Sequence, residues 1–197
     1  MPAGEYMKEK NGLKELITIV TSHPDAEARR YAMYLLGMVG DSSVTGCLVS
    51  ALRDTDKGVR ARATIALASI GDVQPLCDLL KDADWKVRYR AAEALAHIRS
   101  PASQSALVEA LSDEKDHVRY MAAKALGGIG GVSAVNALIS LLKDQNEFVR
   151  RSVARSLGRI GDPVALPPLL HALDDEVCEA VRHELAGAIT ACRSSDK

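Results

Sequence analysis

The sequence contains few aromatic residues, and this scarcity limits the folds that it can form. Its 197 residues include only five Tyr, one Trp and one Phe, although 47% of them are hydrophobic. Long runs of the β-branched and aromatic residues that favour strands are absent. The core must therefore be built mainly from Ala, Leu, Val and Ile, which indicates closely packed helices.

Signals for membranes, secretion and metal binding are also missing. No apolar stretch approaches the roughly 18 residues that a membrane span needs, and residues 1–10 lack the apolar segment of a secretory signal. The cysteines form no Cys-x-x-Cys pair, so we expect free thiols, no zinc site and a cytoplasmic protein. They are Cys47, Cys77, Cys178 and Cys192. Twenty-five Lys and Arg balance 26 Asp and Glu, which argues against a strongly basic nucleic-acid or membrane-surface binder.

One motif recurs along the chain. The dipeptide Val-Arg, with Ala-Arg as a weaker first copy, places an arginine at intervals of 31, 28, 31, 31 and 32 residues. A run of small residues follows each copy, then a turn and a second short amphipathic segment. Such a period is typical of stacked repeats. The arginines are Arg29, Arg60, Arg88, Arg119, Arg150 and Arg182.

Each repeat is interpreted as two helices. In the third copy the apolar residues Val87, Ala91, Ala94, Leu95 and Ile98 fall at helical spacing on one stripe. One pair cannot bury this stripe alone, whereas stacked pairs share a continuous core. We therefore predict an all-α superhelix (an α-α solenoid) of about six helix pairs, forming a single domain over 12–192. The predicted pairs are 12–39, 42–70, 73–98, 102–129, 132–160 and 163–192, with an N-terminal extension over 1–11 and a C-terminal tail over 193–197.

The repeated pattern resembles a known family. Asp-x-x-Val-Arg-x-x-Ala-Ala-x-Ala-Leu-Gly-x-Ile-Gly-Asp, followed by Ala-Val-x-x-Leu-x-x-Leu-x-Asp, is similar to the HEAT-like repeats first noted in phycobilin lyase subunits. The resemblance implies that the Val-Arg helix is the second of each pair and lines the concave side. It also implies that the repeated arginines form a structural ladder between successive repeats. Asp56 and Asp84 match the acidic position of the pattern, and Asp113 and Asp144 are the alternatives for later repeats.

Aromatic residues gather on the predicted concave face. Six of the seven occupy positions that lie opposite the apolar stripe of the Val-Arg helices, where folding itself has no use for them. Binding surfaces do use them, because Tyr and Trp bury a large area at low entropic cost. Packing between neighbouring repeats is an equally good explanation for Trp85 and Phe148, which stand at helix starts.

Basic residues on the same face point to an acidic partner. Arg151, Arg155 and Arg159 follow each other at i, i+4 and i+8, and like charges at this spacing repel unless an anion meets them. The hypothesis is a scaffold that binds a protein or peptide, with nucleic acid as a second choice and no membrane role. The predicted partner-binding residues are Tyr31, Tyr34, Arg62, Trp85, Lys86, Tyr89, Arg90, Tyr120, Lys124, Phe148, Arg151, Arg155 and Arg159.

Residues for catalysis are not recognisable in the sequence. The resemblance also covers deoxyhypusine hydroxylase, whose di-iron site needs His-Glu pairs on several repeats, and this chain has only His183-Glu184. The expectation is a non-enzymatic protein without catalytic residues, metal ligands or a cofactor. A subunit similar to the phycobilin lyases is the remaining alternative, and it rests on the shared repeat alone.

Overall fold

A computed structural model describes residues 10–194, and these form twelve α-helices and no strand. The predicted all-α architecture of helix pairs is therefore confirmed. The chain divides into two compact units, an N-terminal unit that ends at Leu76 and a C-terminal unit that begins at Cys77. None of the helices between residues 10 and 194 is both long enough and apolar enough to cross a membrane.

The N-terminal unit contains two helix pairs. Its helices are α1 (Lys10–Ser22), α2 (Ala26–Val39), α3 (Thr45–Ala51) and α4 (Lys57–Ile70). The second helices α2 and α4 pack on each other, α1 packs on α2, and α3 packs on α4. The buried core consists of aliphatic and small residues, as the scarcity of aromatics predicts.

Helix α5 (Val73–Leu79) contains the boundary between the units, and the C-terminal unit continues with seven more helices. These are α6 (Trp85–Ile98), α7 (Gln104–Ala110), α8 (Asp116–Ile129), α9 (Val132–Ser140), α10 (Glu147–Ile160), α11 (Leu166–Asp175) and α12 (Glu179–Ser194). The second helices α6, α8, α10 and α12 pack successively to form one layer. The first helices α7, α9 and α11 cover that layer from one side.

Side-chain caps start most of the second helices. Asp56 accepts hydrogen bonds from the backbone N–H groups of Gly58 and Val59, and Asp84 and Asn146 cap α6 and α10 in the same way. Capping satisfies N–H groups that have no partner within the helix. The two residues that match the acidic position of the pattern therefore act mainly as N-caps. Asp84 caps α6, and Asp56 caps α4 and also accepts from Arg30, which is not one of the repeated arginines.

Helix ends lie close to the predicted limits of the repeat domain. Lys10 and Asn11 belong to α1, and α12 continues to Ser194, so helix extends slightly beyond 12–192 at both ends. The rest of the predicted extension and tail, residues 1–9 and 195–197, lies outside the described residues. The single domain over 12–192 remains a prediction.

Small residues let the second helices approach closely. A Cβ atom at Gly127 of α8 would stand 2.8 Å from the Cα atom of Ser156 in α10, and one at Gly158 would stand 2.8 Å from the Cα atom of Ala188 in α12. Both distances are far below normal contact, so only glycine fits at these two positions. The layer of second helices in the C-terminal unit therefore depends on glycines that directly follow a buried leucine.

Candidate functional site

Several arginines of the predicted ladder link successive repeats within one unit. Arg119 donates from Nε and Nη2 to the two carboxylate oxygens of Asp144, at 2.7 and 2.9 Å, and from Nη1 to the carbonyl of Asp113 at 2.8 Å. Arg29 with Asp54, Arg88 with Asp113, and Arg150 with Glu176 repeat this two-pronged ion pair. Arg60 and Arg182 donate to backbone carbonyls of the preceding turns.

The carboxylates of the ladder also shape the turns in which they lie. Asp113 and Asp144 each accept the backbone N–H two residues further on, at 2.8 and 2.9 Å. Burial is the largest single influence and raises the pKa of both carboxyl groups. The hydrogen bonds from Arg88 and Arg119, the backbone hydrogen bonds and the nearby positive charges together outweigh it, so the net pKa of each group is lowered. These arginines therefore hold the loops together and are not available to a ligand.

The exposed side of α8 and α10 carries six of the predicted partner-binding residues. We call this surface the α8–α10 face, and it comprises Tyr120, Lys124, Phe148, Arg151, Arg155 and Arg159. Two buried hydroxyl groups join the helices beneath it, since Ser152 donates to the carbonyl of Tyr120 and Ser156 to that of Ala123. The close approach at Gly127 brings the two rows of side chains together.

One end of the α8–α10 face holds an apolar pocket of about 320 Å³. Asp116, His117, Tyr120, Asn146 and Phe148 line it, and Phe148 is 60% exposed although it is a large aromatic residue. The ring of Trp85 in α6 stands 5.3 Å from that of His117, which extends the aromatic surface towards α6. The pocket therefore has the size and the walls to receive an apolar side chain.

Both carboxylate oxygens of Asp116 are already occupied in this pocket. Oδ1 accepts the backbone N–H of His117 and contacts its Nδ1 at 2.7 Å, while Oδ2 accepts the side-chain amide of Asn146. The hydrogen bond with the His117 side chain lowers the pKa of Asp116. This carboxylate consequently fixes the pocket wall, and its charge is largely satisfied by its neighbours.

A basic cavity of about 210 Å³ adjoins the apolar pocket and shares Tyr120 and Phe148 with it. Four cationic side chains line it, which are Lys124, Arg151, Arg155 and Arg159, together with Ser152 and Ser156. Arg151 Nε lies 3.2 Å from the carboxylate of Glu184 in α12, and Arg155 donates to the same carboxylate. These hydrogen bonds, from Arg155 first and then Arg151, lower the pKa of Glu184.

This arrangement corrects the interpretation of the basic row. The anion that meets Arg151 and Arg155 is Glu184 of this chain, so the predicted row is not an uninterrupted cationic surface. Within residues 10–194, neither Lys124 nor Arg159 makes an ion pair. The cationic groups that remain open in the cavity are therefore these two.

Three other predicted residues lie on α6. The guanidinium of Arg90 stands 5.6 Å from the Tyr89 ring and donates to Glu93 at 2.6 Å, and burial raises the pKa of Tyr89. Lys86 is exposed beside these groups. Arg90 thus interacts with two side chains of its own helix.

The remaining predicted residues lie together in the N-terminal unit. The rings of Tyr31 and Tyr34 lie 6.4 Å apart, and the guanidinium of Arg62 is 5.6 Å from the Tyr34 ring. Met38 is 68% exposed and Ile65 54% exposed, and both line a cavity of about 220 Å³ with Tyr34 and Arg62. Met38 and Ile65 were not predicted as partner-binding residues, because the prediction considered only aromatic and charged residues. Their positions in the repeat place them on the same face as Tyr34 and Arg62.

The residues that sequence analysis considered for metal binding and nucleophilic chemistry can be located in the described part of the chain. No group of three or more His, Cys, Asp and Glu is placed to hold a metal ion there. Glu184 of the His183-Glu184 dipeptide is bound to Arg151 and Arg155. All four cysteines are free thiols, and burial raises the pKa of Cys47, Cys77 and Cys192, which makes them poor nucleophiles at neutral pH.

Comparison with known proteins gives one family and several similar folds. The family model for HEAT repeats matches residues 13–76, 73–140 and 131–190. No curated protein sequence matches the chain. The complex of CpcE and CpcF of phycocyanin lyase from Nostoc sp. PCC7120 is similar in structure, with a TM-score of 0.67 and 22% identity over 75% of this chain and 99% of that chain. These matches confirm the resemblance that the repeats indicated.

Two further solved structures cover almost all of the chain. Human deoxyhypusine hydroxylase in complex with glycerol has a TM-score of 0.56 and 22% identity, over 95% of this chain and 76% of that chain. A designed armadillo repeat protein in complex with peptide (KR)4 has a TM-score of 0.60 and 23% identity, over 91% of this chain and 98% of that chain. At these identities the likeness shows the fold alone.

Proposed function

Because this chain belongs to the HEAT-repeat family, we propose that it is a non-catalytic interaction scaffold that binds an acidic protein or peptide on its α8–α10 face. The observation that carries the proposal is that the apolar pocket and the basic cavity adjoin each other. Tyr120 and Phe148 line both the apolar pocket and the basic cavity, so one ligand can fill both. We expect this protein to act in the cytoplasm, as its free thiols suggest.

The exposure of Phe148 supports a binding role. An aromatic ring that is 60% exposed contributes little to folding, and its burial by a partner would be favourable by about 25 cal/mol for each Å² of apolar surface removed from water. Interfaces characteristically use such rings as anchors. The alternative, packing between neighbouring repeats, does not suit a ring with this exposure.

The charges of the basic cavity support an acidic partner. Four cationic groups face one carboxylate, that of Glu184, which leaves a local excess of positive charge in a chain whose net charge is −1. A designed armadillo protein of the same fold holds the basic peptide (KR)4, a precedent for peptide binding by such repeats. The positive charge of the basic cavity in this chain supports an anionic ligand.

The experiment is capture of the partner by a variant series. Phe148→Ala, Lys124→Gln and Arg159→Gln are combined, since all three side chains are exposed and none makes a ladder contact. The tagged wild-type protein and the triple variant are incubated with native lysate, and the captured proteins are identified by mass spectrometry. The proposal expects captured proteins with acidic segments, and their loss in the triple variant.

A matched control makes the same kinds of change away from the α8–α10 face. Val164→Ala, Lys143→Gln and Arg193→Gln replace one exposed apolar residue, one exposed lysine and one exposed arginine. This control should retain the captured proteins. Equal capture by the wild type and by the α8–α10 variant would refute the proposal.

The nucleic-acid alternative is tested with the same two variants. Fluorescence anisotropy of a labelled single-stranded oligonucleotide at low salt should show no binding that depends on Lys124 and Arg159, because Glu184 interrupts the basic row. Binding that weakens steeply with salt and is lost in the variant would favour that alternative.

A further inference from the structure

We infer that the ligand of the α8–α10 face is a short peptide segment with an apolar side chain next to a carboxylate, and that Glu184 competes with this carboxylate for the basic cavity. The inference rests on the proposed function and specifies its ligand. It follows from the contents of the two adjoining cavities, taken one group at a time.

The apolar pocket selects an uncharged side chain. A free carboxylate in an aromatic pocket would attract a cation, and Asp116 is the carboxylate in this pocket. Its two oxygens are, however, held by His117 and Asn146, which leaves the rings of His117, Tyr120 and Phe148 as the available surface. A leucine or phenylalanine side chain therefore suits the pocket better than a lysine.

The basic cavity selects an anion. The hydroxyl groups of Ser152 and Ser156 already donate to the backbone carbonyls of Tyr120 and Ala123. The groups left to bind a ligand are cationic side chains, of which Lys124 and Arg159 make no ion pair in the described part of the chain. An anionic group of the ligand would satisfy both.

Glu184 identifies the anion as a carboxylate. Its side chain is anchored on α12 and reaches Arg151 and Arg155 at the edge of the basic cavity. The geometry of these two guanidinium groups thus already accepts a carboxylate, in the way a ligand could present one. Glu184 and a ligand carboxylate then compete for Arg151 and Arg155, so the ligand binds more weakly than the number of basic groups suggests.

The two cavities must be occupied by neighbouring side chains of one segment. They share the walls formed by Tyr120 and Phe148, so the apolar side chain and the carboxylate enter on either side of the same rings. In an extended peptide, side chains at i and i+2 point to the same side and are separated by about 7 Å. A single short segment can therefore reach both cavities.

The test uses synthetic capped peptides and the full chain labelled with nitrogen-15. Three octapeptides place phenylalanine before glutamate with zero, one or two glycines between them, and three matched peptides carry glutamine instead of glutamate. Titrations are followed by amide chemical shifts, which also report whether each variant is folded. At least one glutamate peptide should bind about tenfold more tightly than its glutamine counterpart, as expected for a charge-assisted contact.

Three variants assign the effect to the cavities. Lys124→Gln combined with Arg159→Gln should remove most of the preference for glutamate, because Arg151 and Arg155, the two basic groups that remain, already hold Glu184. Phe148→Ala should lower the affinity for the glutamate and the glutamine peptides by the same factor. Glu184→Gln should strengthen binding of the glutamate peptide by about threefold, because a partly exposed competing ion pair is removed, and should leave the glutamine peptide unchanged.

The outcomes separate this inference from the proposed function. Equal affinity of glutamate and glutamine peptides, or a glutamate peptide weakened by Glu184→Gln, overturns the inference. Tighter binding of a phosphoserine peptide by more than tenfold overturns the choice of a carboxylate. If no peptide binds but partner capture still depends on Phe148, Lys124 and Arg159, the short ligand is wrong and the proposed function stands.

Discussion

Replacement of Gly127 by alanine tests the packing that brings α8 and α10 together. The added Cβ atom would stand 2.4 Å from Oγ, 2.5 Å from Cβ and 2.8 Å from Cα of Ser156. Ordinary contacts of a Cβ atom begin near 3.4 Å. Rotation of the serine side chain relieves only the first contact, so the two helix backbones must move apart.

The expected cost follows from two opposing effects. Overpacking a tightly packed interior costs about 1–3 kcal/mol, and alanine is favoured over glycine inside a helix by about 0.5–1 kcal/mol. Because the contact at 2.8 Å involves the backbone of α10, the steric cost dominates. We expect Gly127→Ala to lower the free energy of unfolding by about 1–2 kcal/mol, equivalent to roughly 2–8 °C in Tm for a chain of this size.

Gly187 provides the matched control. It lies in the middle of α12, and a Cβ atom there would meet nothing within 4 Å. Gly187→Ala should therefore raise stability by about 0.5–1 kcal/mol through helix propensity alone. The two variants have the same chemical change and should move the free energy of unfolding in opposite directions.

The assay combines thermal melting, followed by circular dichroism, with hydrogen exchange. Repeat proteins unfold through local steps, so exchange at the amides of α8 and α10 places the loss of stability in the structure. The widened spacing between α8 and α10 should also lower the affinity for the glutamate peptides, since Ser156 lines the basic cavity that binds them. A Gly127→Ala variant as stable as Gly187→Ala would refute the close approach of these helices.

Three further predictions concern helix ends, the ladder and acid. Arg99 caps the end of α6 in a left-handed conformation with φ 55°, and Gly161 takes the same place after α10 with φ 70°. Because glycine adopts this conformation without strain, Arg99→Gly should stabilise the protein by about 0.5–1 kcal/mol in urea denaturation, and Gly161→Ala should destabilise it by a similar amount. Arg119→Gln should destabilise it by about 2–3 kcal/mol in the same assay, because it leaves the Asp144 carboxylate, 9% exposed, without its partner. The pKa of the ladder carboxylates is lower in the folded than in the unfolded protein, so their stabilisation is present above an unfolded pKa of about 4 and is lost as pH falls through the folded pKa. Helicity followed by circular dichroism should therefore fall below about pH 4. The fall should be smaller for Arg119→Gln, when the helicity of this variant is compared with its own value at about pH 7. These carboxylates are Asp54, Asp113, Asp144 and Glu176.

The fold was predictable because each repeat copies the same local signals. Helical spacing of buried residues such as Val87 and Leu95, together with glycines at helix ends such as Gly161, recurs at a nearly constant period. Helix pairs with these stripes can bury them only by stacking. The predicted helix pairs accordingly agree with the observed helices to within a few residues at either end.

The partners of individual side chains were less predictable, because they lie about 25 residues away in the next repeat. Asp113 accepts from Arg88 and Asp144 from Arg119, whereas the nearer Asp84 caps a helix. An aspartate suits both roles, and spacing alone does not distinguish them. The packing of successive repeats in three dimensions determines which carboxylate forms the ion pair with each arginine.

The basic row shows the same limit for the candidate site. Regular spacing of Arg151, Arg155 and Arg159 along α10 predicts their common face, but the occupant of that face comes from α12. Glu184 stands at a repeat position that Arg90 and Arg62 occupy in other repeats, so the sign of the charge changes from repeat to repeat. The charge that a ligand meets on this face therefore depends on neighbouring repeats together, because one residue of α12, Glu184, neutralises part of the positive charge of the α10 arginines.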